Sequence, residues 1–477
     1  MLYPFLHGYH RLGELLDALP PDAWREDEGI LGALFMHLVK NGQAVRAKSY
    51  LNAVNLEFER TYQFDVLNLL LALHLGEPVS DEKLAEWRRL ERALPLNDPL
   101  MLGLYYNSMM AMFVRLMRHD DARTAGQQAI SCYREARHDY LEHYIHIHIA
   151  DLDVVEGRLR RAARGLKTAQ RCLEQSGLRF GHEEDVIAVI SLAIDYERGH
   201  FDRVRKRAAA LRNGLMTGDS WSELFYQLAR ISVMSAYFLE GRQAAQVELD
   251  VFQADYTRRH SGRPLTIDVL EARICYLEWH PADAEQCLSA IAGIPIHSSI
   301  GYGLLEELNT ALHLGDHQPP QTPRGTIVAA LQRAQILRGK ARKQAITDAM
   351  RLALEERQIA PFLEYRDVFL GVSSSLNSEQ AFRGNPALLR LAKQIVKEVE
   401  KSYVVPEQLK ALGFNRRQYR VAAALQSGST NKQVARQLGT SEATVKYHLT
   451  SIYRKAGVSR RWQFIDFMSS LEIFENY

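Results

Sequence analysis

The chain has 477 residues, of which 47% are hydrophobic and 24% charged, with 29 glycines and 15 prolines. This composition is that of a folded globular protein, and it excludes a disordered chain, a collagen-like chain and a small disulfide-stapled domain. Lysine and arginine number 59 against 57 aspartates and glutamates, so the overall charge indicates no class of partner. Residues 411–477, however, hold ten of the basic residues and only four of the acidic ones. A small basic module therefore follows a long, mildly acidic body, an asymmetry typical of nucleic-acid binding.

The cysteines and the apolar segments indicate the compartment. The four cysteines are scattered, without a CxxC pair or a metal-ligand spacing, at Cys132, Cys172, Cys275 and Cys287. So few in a long chain indicate a reducing cytosol, where free cysteines are mostly small buried hydrophobes. The N-terminus lacks the pattern of a secretory signal, and the longest uncharged apolar run, 99–114, is too short to cross a bilayer. The sequence therefore predicts a cytoplasmic protein that does not associate with membranes.

Residues 1–385 carry helical periodicity, with alanine, leucine, glutamate and arginine dominant and almost no strand pattern. A tight turn followed by a helix of small and basic residues recurs along this region. Five markers of this turn are spaced 37, 42, 42 and 40 residues apart, at Asp120, Gly157, Gly199, Gly241 and Pro281. An earlier turn at Gly42 precedes the first of them by 78 residues, or two such periods. The period predicts an all-α, tetratricopeptide-like solenoid of stacked helical hairpins, and a generic helical bundle is the alternative.

Such a solenoid has a concave surface suited to a peptide, a protein segment or a small molecule. The motifs GxxxxGK[ST], GxSxG, HExxH and GxGxxG are all missing, so we expect neither an enzyme nor a bound cofactor. The polar stretch after Phe369 is typical of a loop that ends the solenoid at residue 385. A connector, 386–410, follows and contains a helix from Ala387 to Lys401, and Pro406 ends it.

Four histidines are clustered in the body, at His138, His143, His146 and His148. His143 and His146 could share a helix face as metal ligands, but no carboxylate or cysteine lies one turn away in the pattern of a known site. The cluster therefore favours structural histidines between paired helices and no metal site. The aromatic and methionine-rich stretch 105–113 likewise favours packing between helices over a ligand site.

The C-terminal module, 411–477, is predicted to form four helices. Asn415 caps the first, the second starts at 429–431, and the third runs from its N-cap Ser441 to Gly457. The second and third are joined by the short turn 439–442 and form a helix-turn-helix. The apolar seam between them consists of Val434, Ala435, Leu438, Val445, Leu449 and Ile452.

This module resembles the LuxR-type family of DNA-binding domains. The residues that match the family pattern in register are Arg417, Val421, Gly428, Thr430, Asn431, Lys432, Ala435, Leu438, Ser441, Thr444, Val445, Lys446, His448, Ile452, Lys455, Gly457, Val458 and Arg461. The departures are Asn415, Gln418, Gln433 and Ala456. The two glutamines replace acidic residues, which implies weaker ion pairing inside the module without the loss of a DNA contact.

Helical repeats followed by such a module also resemble the large regulators related to the maltose-regulon activator. Those regulators carry an N-terminal ATPase that is absent here, so ATP-driven oligomerisation is not carried over. The resemblance therefore implies a MalT-like repeat sensor that controls a DNA-binding module.

The third helix carries the predicted base-reading residues, because a helix that opens at Ser441 presents its first turns to a major groove. The positions that the family uses for reading bases correspond to Lys446, Tyr447 and Thr450. Lys446 could donate to guanine O6 and N7, and Tyr447 could contact a thymine methyl. Contacts to the phosphates and the positioning of the helix would fall to Thr430, Asn431, Lys432, Ser441, Thr444, Arg454, Lys455 and Arg461.

The fourth helix has more apolar surface than a small module can bury. These residues are Phe464, Ile465, Phe467, Met468, Leu471 and Phe474. The family resemblance implies a dimerisation element, and docking of the helix onto the solenoid is the alternative.

The sequence therefore predicts a bacterial transcription regulator that binds double-stranded DNA as a homodimer. A small-molecule, peptide or protein effector on the repeats would control it, and an activator would also contact RNA polymerase. The alternative is an interaction scaffold whose helix-turn-helix no longer binds DNA.

Overall fold

The computed structural model shows only helices, turns and loops among the residues that it describes, with no strand. These residues are 18, 20, 23–25, 28–40, 43–54, 62–75, 79–177, 183–217, 222–259, 264–278, 281–294, 298–312, 322–337, 339–369, 376, 382, 384–426, 429–438 and 440–471. The predicted turn at Gly42, most of the loop after Phe369, and Gly428, Gly439 and Phe474 lie outside them. Within these ranges, no helix combines the length and apolar character that crossing a membrane requires.

The repeat body, as we call residues 18–405, holds most of the helices. The first eight are α1 (Glu28–Lys40), α2 (Ala44–Val54), α3 (Tyr62–Leu75), α4 (Asp81–Leu90), α5 (Pro99–Arg115), α6 (His119–Glu135), α7 (Asp139–Val155) and α8 (Leu159–Ser176). They are followed by α9 (Glu183–Glu197), α10 (Phe201–Thr217), α11 (Ser222–Glu240), α12 (Arg242–Arg259), α13 (Leu265–Leu277), α14 (Pro281–Ala290) and α15 (Ser299–Ala311). The body ends with α16 (Pro323–Ile336), α17 (Gly339–Leu354), α18 (Ala360–Glu364) and α19 (Pro386–Lys401).

The helices of the body pair in chain order. Helix α5 packs on α6, α7 on α8, α9 on α10, α11 on α12 and α13 on α14. The first helices of neighbouring pairs also contact one another, α7 with α9, α9 with α11 and α11 with α13. The described part of the body is therefore a stack of helical hairpins, and its tetratricopeptide-like character stays a prediction.

The turns inside the hairpins have the left-handed backbone that the glycine markers predict. Gly157 and Gly199 have φ values of +83° and +78°. What the sequence did not predict is a later part of the chain that crosses these turns. The backbone N–H of Arg324 donates to the carbonyl of Glu156 at 2.9 Å, and that of Ile359 donates to the carbonyl of Glu197 at 2.7 Å. We call residues 323–369 the return segment, because they fold back over the turn edge of the stack.

Four buried charges hold the return segment on the hairpins. The Arg230 guanidinium lies 2.6 Å from the carboxylate of Glu197 on α9, and Arg324 contacts both Glu197 and Glu364. Burial raises the pKa of Glu364, but the guanidiniums of Arg324 and Arg230 outweigh it and hold that pKa at about 2. The carboxylate is therefore ionised at neutral pH, and its charge is compensated by neighbouring arginines, as a buried charge requires.

The buried apolar side chains of the described residues form two cores. The first extends from Trp24 to Leu152, and the second from Ile147 to Met468. Helix α7 contributes to both, with Ile149 in the first core and Ala150 in the second. The predicted connector helix is present as α19, whose buried face packs on α17. The second core therefore continues through the connector into the C-terminal module.

Candidate nucleic-acid interface

A short helix, α20 (Glu407–Ala411), leads into the four helices of the C-terminal module. They are α21 (Arg416–Gln426), α22 (Asn431–Gln437), α23 (Glu442–Ala456) and α24 (Arg461–Ser470). Helix α22 packs on α23, and all six residues of the predicted apolar seam are buried. The predicted helix-turn-helix therefore forms.

The ends of α22 and α23 are fixed by their capping residues. The Thr430 hydroxyl accepts from the N–H of Gln433 at 3.3 Å, and the Gln433 side chain accepts from the N–H of Thr430 at 2.7 Å, so α22 begins with a capping box. Ser441 accepts from the N–H of Thr444 at 3.0 Å, as expected for the N-cap of α23. The helix ends at Gly457 with φ +68°.

The three predicted base-reading residues lie on the exposed face of α23. The side chain of Lys446 is 64% exposed and its Nζ lies 3.2 Å from Glu442, which is also exposed. Tyr447 is 73% exposed, one of the most exposed large side chains described. The hydroxyl of Thr450 donates to the carbonyl of Lys446 at 3.1 Å, on the same face. These side chains are therefore available to a macromolecule that contacts α23.

A concave surface joins this face to the start of α22. It has a volume of about 810 Å³ and is lined by Thr430, Asn431, Lys432, Glu442, Lys446, Leu449, Thr450, Tyr453 and Arg461. Six of these residues are among those predicted to contact DNA. Thr430, Asn431 and Lys432, at the start of α22, line one part of it. The surface therefore combines cations, hydroxyls and a helix start, which suits a polyanion.

Two of the predicted phosphate contacts also hold the module together. Lys455 Nζ donates to the Gln418 side chain at 2.7 Å and to the carbonyl of Gly413. Arg461 donates to Asn431 at 3.3 Å and to the carbonyl of Ser429, which fixes the start of α22. Lys432 and Arg454 are exposed, whereas Thr444 is half-buried beside its N-cap. Among the cations that were predicted to contact phosphates, Lys432 and Arg454 are therefore the exposed ones.

Both glutamines that depart from the family pattern make hydrogen bonds that compensate for the missing charges. Gln433 completes the capping box of α22. Gln418 donates to Ser451 at 3.0 Å as well as accepting from Lys455, and its N–H is capped by Asn415 at 2.9 Å. An amide can do this because it both donates and accepts. The sequence predicted weaker ion pairing but missed these bonds.

Helix α24 buries part of its predicted dimerisation face inside the module. Phe464 and Met468 are fully buried, and the Phe464 ring packs 5.5 Å from that of Tyr453. Ile465, Phe467 and Leu471 are half-buried, and the neighbouring Trp462 is 59% exposed. The apolar surface left for a second copy is therefore smaller than the sequence indicated, and the dimer stays a prediction.

Helix α21 attaches the module to the repeat body through a buried polar contact. The Tyr419 hydroxyl donates to Glu278, just after α13, at 2.9 Å. Glu278 also accepts from Tyr237 and lies 3.6 Å from the guanidinium of Arg366. Burial, and then the charge of Glu278, raise the pKa of the Tyr419 hydroxyl well above its ordinary value, so it remains a donor.

A second contact lies beside the first. The guanidinium of Arg420 sits 4.7 Å from the centre of the Tyr403 ring, in the geometry of a cation–π contact. Arg366 donates to the carbonyl of Ser402 at 2.6 Å, which joins the return segment to the same junction. The sequence could not indicate these pairs, because Tyr419 and Glu278 are 141 residues apart and belong to no local pattern.

Comparison with known proteins identifies the module. Residues 413–468 match the family described as bacterial regulatory proteins, luxR family. Over 45 residues the chain is 51% identical to a protein of Hyphomicrobium methylovorum described as "Probable transcriptional regulatory protein SgaR". That match covers 9% of this chain and 21% of the relative, and no solved structure matches the chain. Residues 413–468 are a LuxR-family helix-turn-helix domain, which confirms the prediction for this module.

Proposed function

We propose that this chain is a transcription regulator that binds the major groove of double-stranded DNA through α23. The observation that carries the proposal is the concave surface in which the start of α22, Lys446 and Arg461 converge beside the exposed Tyr447. The LuxR-family match and the relative described as a regulator support the same function. The whole chain acts on transcription when DNA binding by this module is coupled to its much larger repeat body.

Base reading begins with the release of Lys446 from Glu442. Both side chains are exposed, and an ion pair of this kind contributes at most about 1 kcal/mol, so Lys446 can exchange its carboxylate partner for guanine O6 and N7. Glu442 is then available to accept from a cytosine amino group, and Tyr447 contacts a thymine methyl. Lys432 and Arg454 neutralise phosphates on either side and set the register of the helix.

We further propose that the regulator is a homodimer and that an effector controls it. The exposed Trp462, with the half-buried Ile465, Phe467 and Leu471, provides the surface for a second copy, and a two-fold dimer reads an inverted site. The regulator acts in the cytoplasm, and it contacts RNA polymerase if it activates. An effector on the repeats is a small molecule, a peptide or a protein.

Coupling between effector and DNA runs through α21. Tyr419 and Arg420 attach this helix to the repeat body at Glu278 and Tyr403. An effector that binds one arrangement of the hairpins more tightly than another shifts the population of the docked module. In the docked arrangement Lys446, Tyr447 and Thr450 of α23 are exposed, so the module can bind DNA while it is attached to the repeat body.

The test is a gel-shift titration of Lys446→Ala on a site selected from random DNA by the wild-type protein. We expect specific binding to weaken by about 1–3 kcal/mol per half-site, with relaxed preference at the base that Lys446 contacts. The matched control is Lys83→Ala, because Lys83 is also an exposed lysine paired with a glutamate, at 3.0 Å from Glu86, but lies in α4. Unchanged affinity and unchanged sequence preference in Lys446→Ala would contradict the assignment.

A salt titration on bulk DNA separates the regulator from the scaffold alternative. Phosphate contacts make log K fall linearly with log[salt], so a DNA-binding module has a steep slope. Lys432→Ala should reduce that slope by about one unit without changing the preferred sequence. A chain with no salt-dependent affinity for DNA would be a scaffold.

A further inference from the structure

Three side chains with metal-binding atoms converge between α7 and α8, far along the chain from the DNA-binding module. They are Glu142 and His146, four residues apart on one face of α7, and Cys172 on α8. One ligand atom from each lies within 4.8 Å of the other two, and His146 Nε2 is 3.1 Å from Glu142 Oε1. Glu142 and Cys172 are buried, and the His146 side chain is only 14% exposed, so the group is largely shielded from solvent.

From the sequence alone, a different pair of side chains, His143 and His146, has a spacing that would suit metal ligands. In the structure the Nδ1 of His143 lies 2.7 Å from the carbonyl of Ala169 on α8, so His143 is a buried structural histidine between paired helices, as predicted. Glu142 lies one turn before His146, with its Oε1 3.1 Å from the imidazole Nε2, although the spacing of these residues matches no known metal-site motif. Cys172 joins them from the next helix, a contact that the sequence spacing does not reveal.

The donor set selects the kind of cation. An imidazole nitrogen, a carboxylate oxygen and a thiolate sulfur are the three ligand types that Zn²⁺ takes in proteins. Glutamate and a thiolate together supply two negative charges, which neutralise a divalent cation in this buried place. The sulfur argues against Mg²⁺ and Ca²⁺, which prefer oxygen ligands alone. We propose that Glu142, His146 and Cys172 bind one Zn²⁺ ion between α7 and α8.

Two arginines compete with the metal. Arg134 donates to the Glu142 carboxylate at 2.9 Å through Nε, and its side chain is 62% exposed, so it can leave Glu142 for water at little cost. Arg171 adds a second positive charge near His146. Removing Arg134 should therefore strengthen Zn²⁺ binding, a direction opposite to that expected when a ligand is removed.

Burial of this group favours the neutral imidazole, which can bind a metal ion, but it also favours the neutral thiol, which must lose its proton first. Burial lowers the pKa of His146, which keeps its ring neutral and able to ligate. Burial, and then the charges of Glu142 and Asp139, raise the pKa of the Cys172 thiol to about 11. Zn²⁺ binds a cysteine as the thiolate, so binding of the ion at this site releases the thiol proton. Three protein ligands leave the fourth position of a tetrahedral ion to water or to an exogenous ligand.

The experiment uses the full chain, stripped with a chelator and titrated with Zn²⁺ or Co²⁺ alone. We expect one equivalent of Zn²⁺ by calorimetry, and with Co²⁺ a thiolate-to-metal charge-transfer band together with the strong visible bands of a tetrahedral ion. Cys172→Ser and His146→Gln should each weaken binding by more than about 100-fold, since loss of even an outer-shell partner costs 10–100-fold. Cys132→Ser, a half-buried cysteine on α6, is the matched control and should retain both bands.

Thermal unfolding keeps the test independent of folding defects. Zn²⁺ should raise the melting temperature of the wild type and of Cys132→Ser, because it binds only the native state, and should not raise that of Cys172→Ser. Arg134→Gln should bind Zn²⁺ more tightly than the wild type. The proposal is overturned if no charge-transfer band appears, or if Cys172→Ser keeps it; Glu142, His146 and Cys172 are then a hydrogen-bonded cluster with an inert thiol.

Discussion

The contact between Tyr419 and Glu278 makes a prediction about how firmly the DNA-binding module is held. Tyr419→Phe removes one hydroxyl that donates to a buried carboxylate at 2.9 Å and leaves the ring in place. Glu278 keeps Tyr237 and Arg366 as partners, so the carboxylate is weakened in its interactions but not orphaned. We therefore expect the module to fold normally but to leave the repeat body more often.

The size of the effect follows from the charge of the acceptor. A hydrogen bond to a charged group contributes about 1.5–3 kcal/mol, and each 1.4 kcal/mol changes an equilibrium constant about tenfold. The remaining partners of Glu278 relax towards the vacant position, which places the effect in the lower half of this range. The ratio of docked to undocked module should fall roughly 10- to 50-fold.

Hydrogen exchange measured by mass spectrometry reads out this equilibrium. Amides of α21 and of residues 402–415 should exchange faster in Tyr419→Phe by the same factor, whereas amides of α5 and α6, which belong to the first core, should not change. Tyr447→Phe is the matched control, since its hydroxyl is exposed on α23 and takes no part in the junction. Identical exchange of α21 in the wild type and Tyr419→Phe would refute the reasoning.

Three further predictions concern a turn, a helix cap and a buried acid. Gly199→Ala should lower the free energy of unfolding by more than the ~1–2 kcal/mol of a left-handed backbone, because its Cβ would lie 2.9 Å from Ile359 Cγ2. Gly177→Ala, at φ +66° with nothing within 4 Å, should cost only the backbone part. Thr430→Ala removes the capping box of α22 and should destabilise the module by about 1 kcal/mol. Burial, and then the charge of Glu223, raise the pKa of Asp151 to about 7, so the native state retains a proton that the unfolded chain releases. Wild-type stability should therefore fall between about pH 4 and pH 7, by up to ~1.4 kcal/mol per unit, and Asp151→Asn should remove that part of the slope.

Chemical denaturation of the full chain checks all three. Equal losses in the two glycine variants would mean that Ile359 does not press on the turn. A Thr430→Ala variant with unchanged module stability would show that the cap is dispensable. Parallel stability profiles of the wild type and Asp151→Asn from pH 4 to pH 7 would contradict the raised pKa of Asp151.

Local sequence signals were enough to predict the helices of the DNA-binding module and their ends. The caps at Asn415, Thr430 and Ser441 and the stop at Gly457 are each set by residues within four positions, and the structure contains them all. The apolar seam could likewise be predicted, because it depends only on the spacing of apolar residues along the two helices. The turn glycines of the body were found for the same reason, because a left-handed backbone is a property of one residue.

Long-range pairs could not be predicted in this way. Ile359 meets Glu197 and Tyr419 meets Glu278 through the packing of elements far apart in the chain, and Cys172 meets Glu142 through the pairing of two successive helices. The second roles of Lys455 and Arg461 were missed because motif and charge indicate a phosphate contact but not a neighbouring carbonyl. Partial burial of α24 was missed because its partners lie on α23.

The two cores of the chain have a consequence for how it melts. Stacked hairpins that contact only their neighbours unfold gradually, unit by unit. Here the return segment spans several turns, and the second core is continuous from Ile147 to Met468. We therefore expect calorimetry to resolve one sharp endotherm for the second core and another for the first core, which extends from Trp24 to Leu152. DNA bound at α23 should raise the melting temperature of the second core and leave that of the first core almost unchanged. By the same linkage, a ligand that stabilises the second core should strengthen DNA binding, and a ligand on the earlier hairpins can influence DNA binding only through α7, the helix that the two cores share.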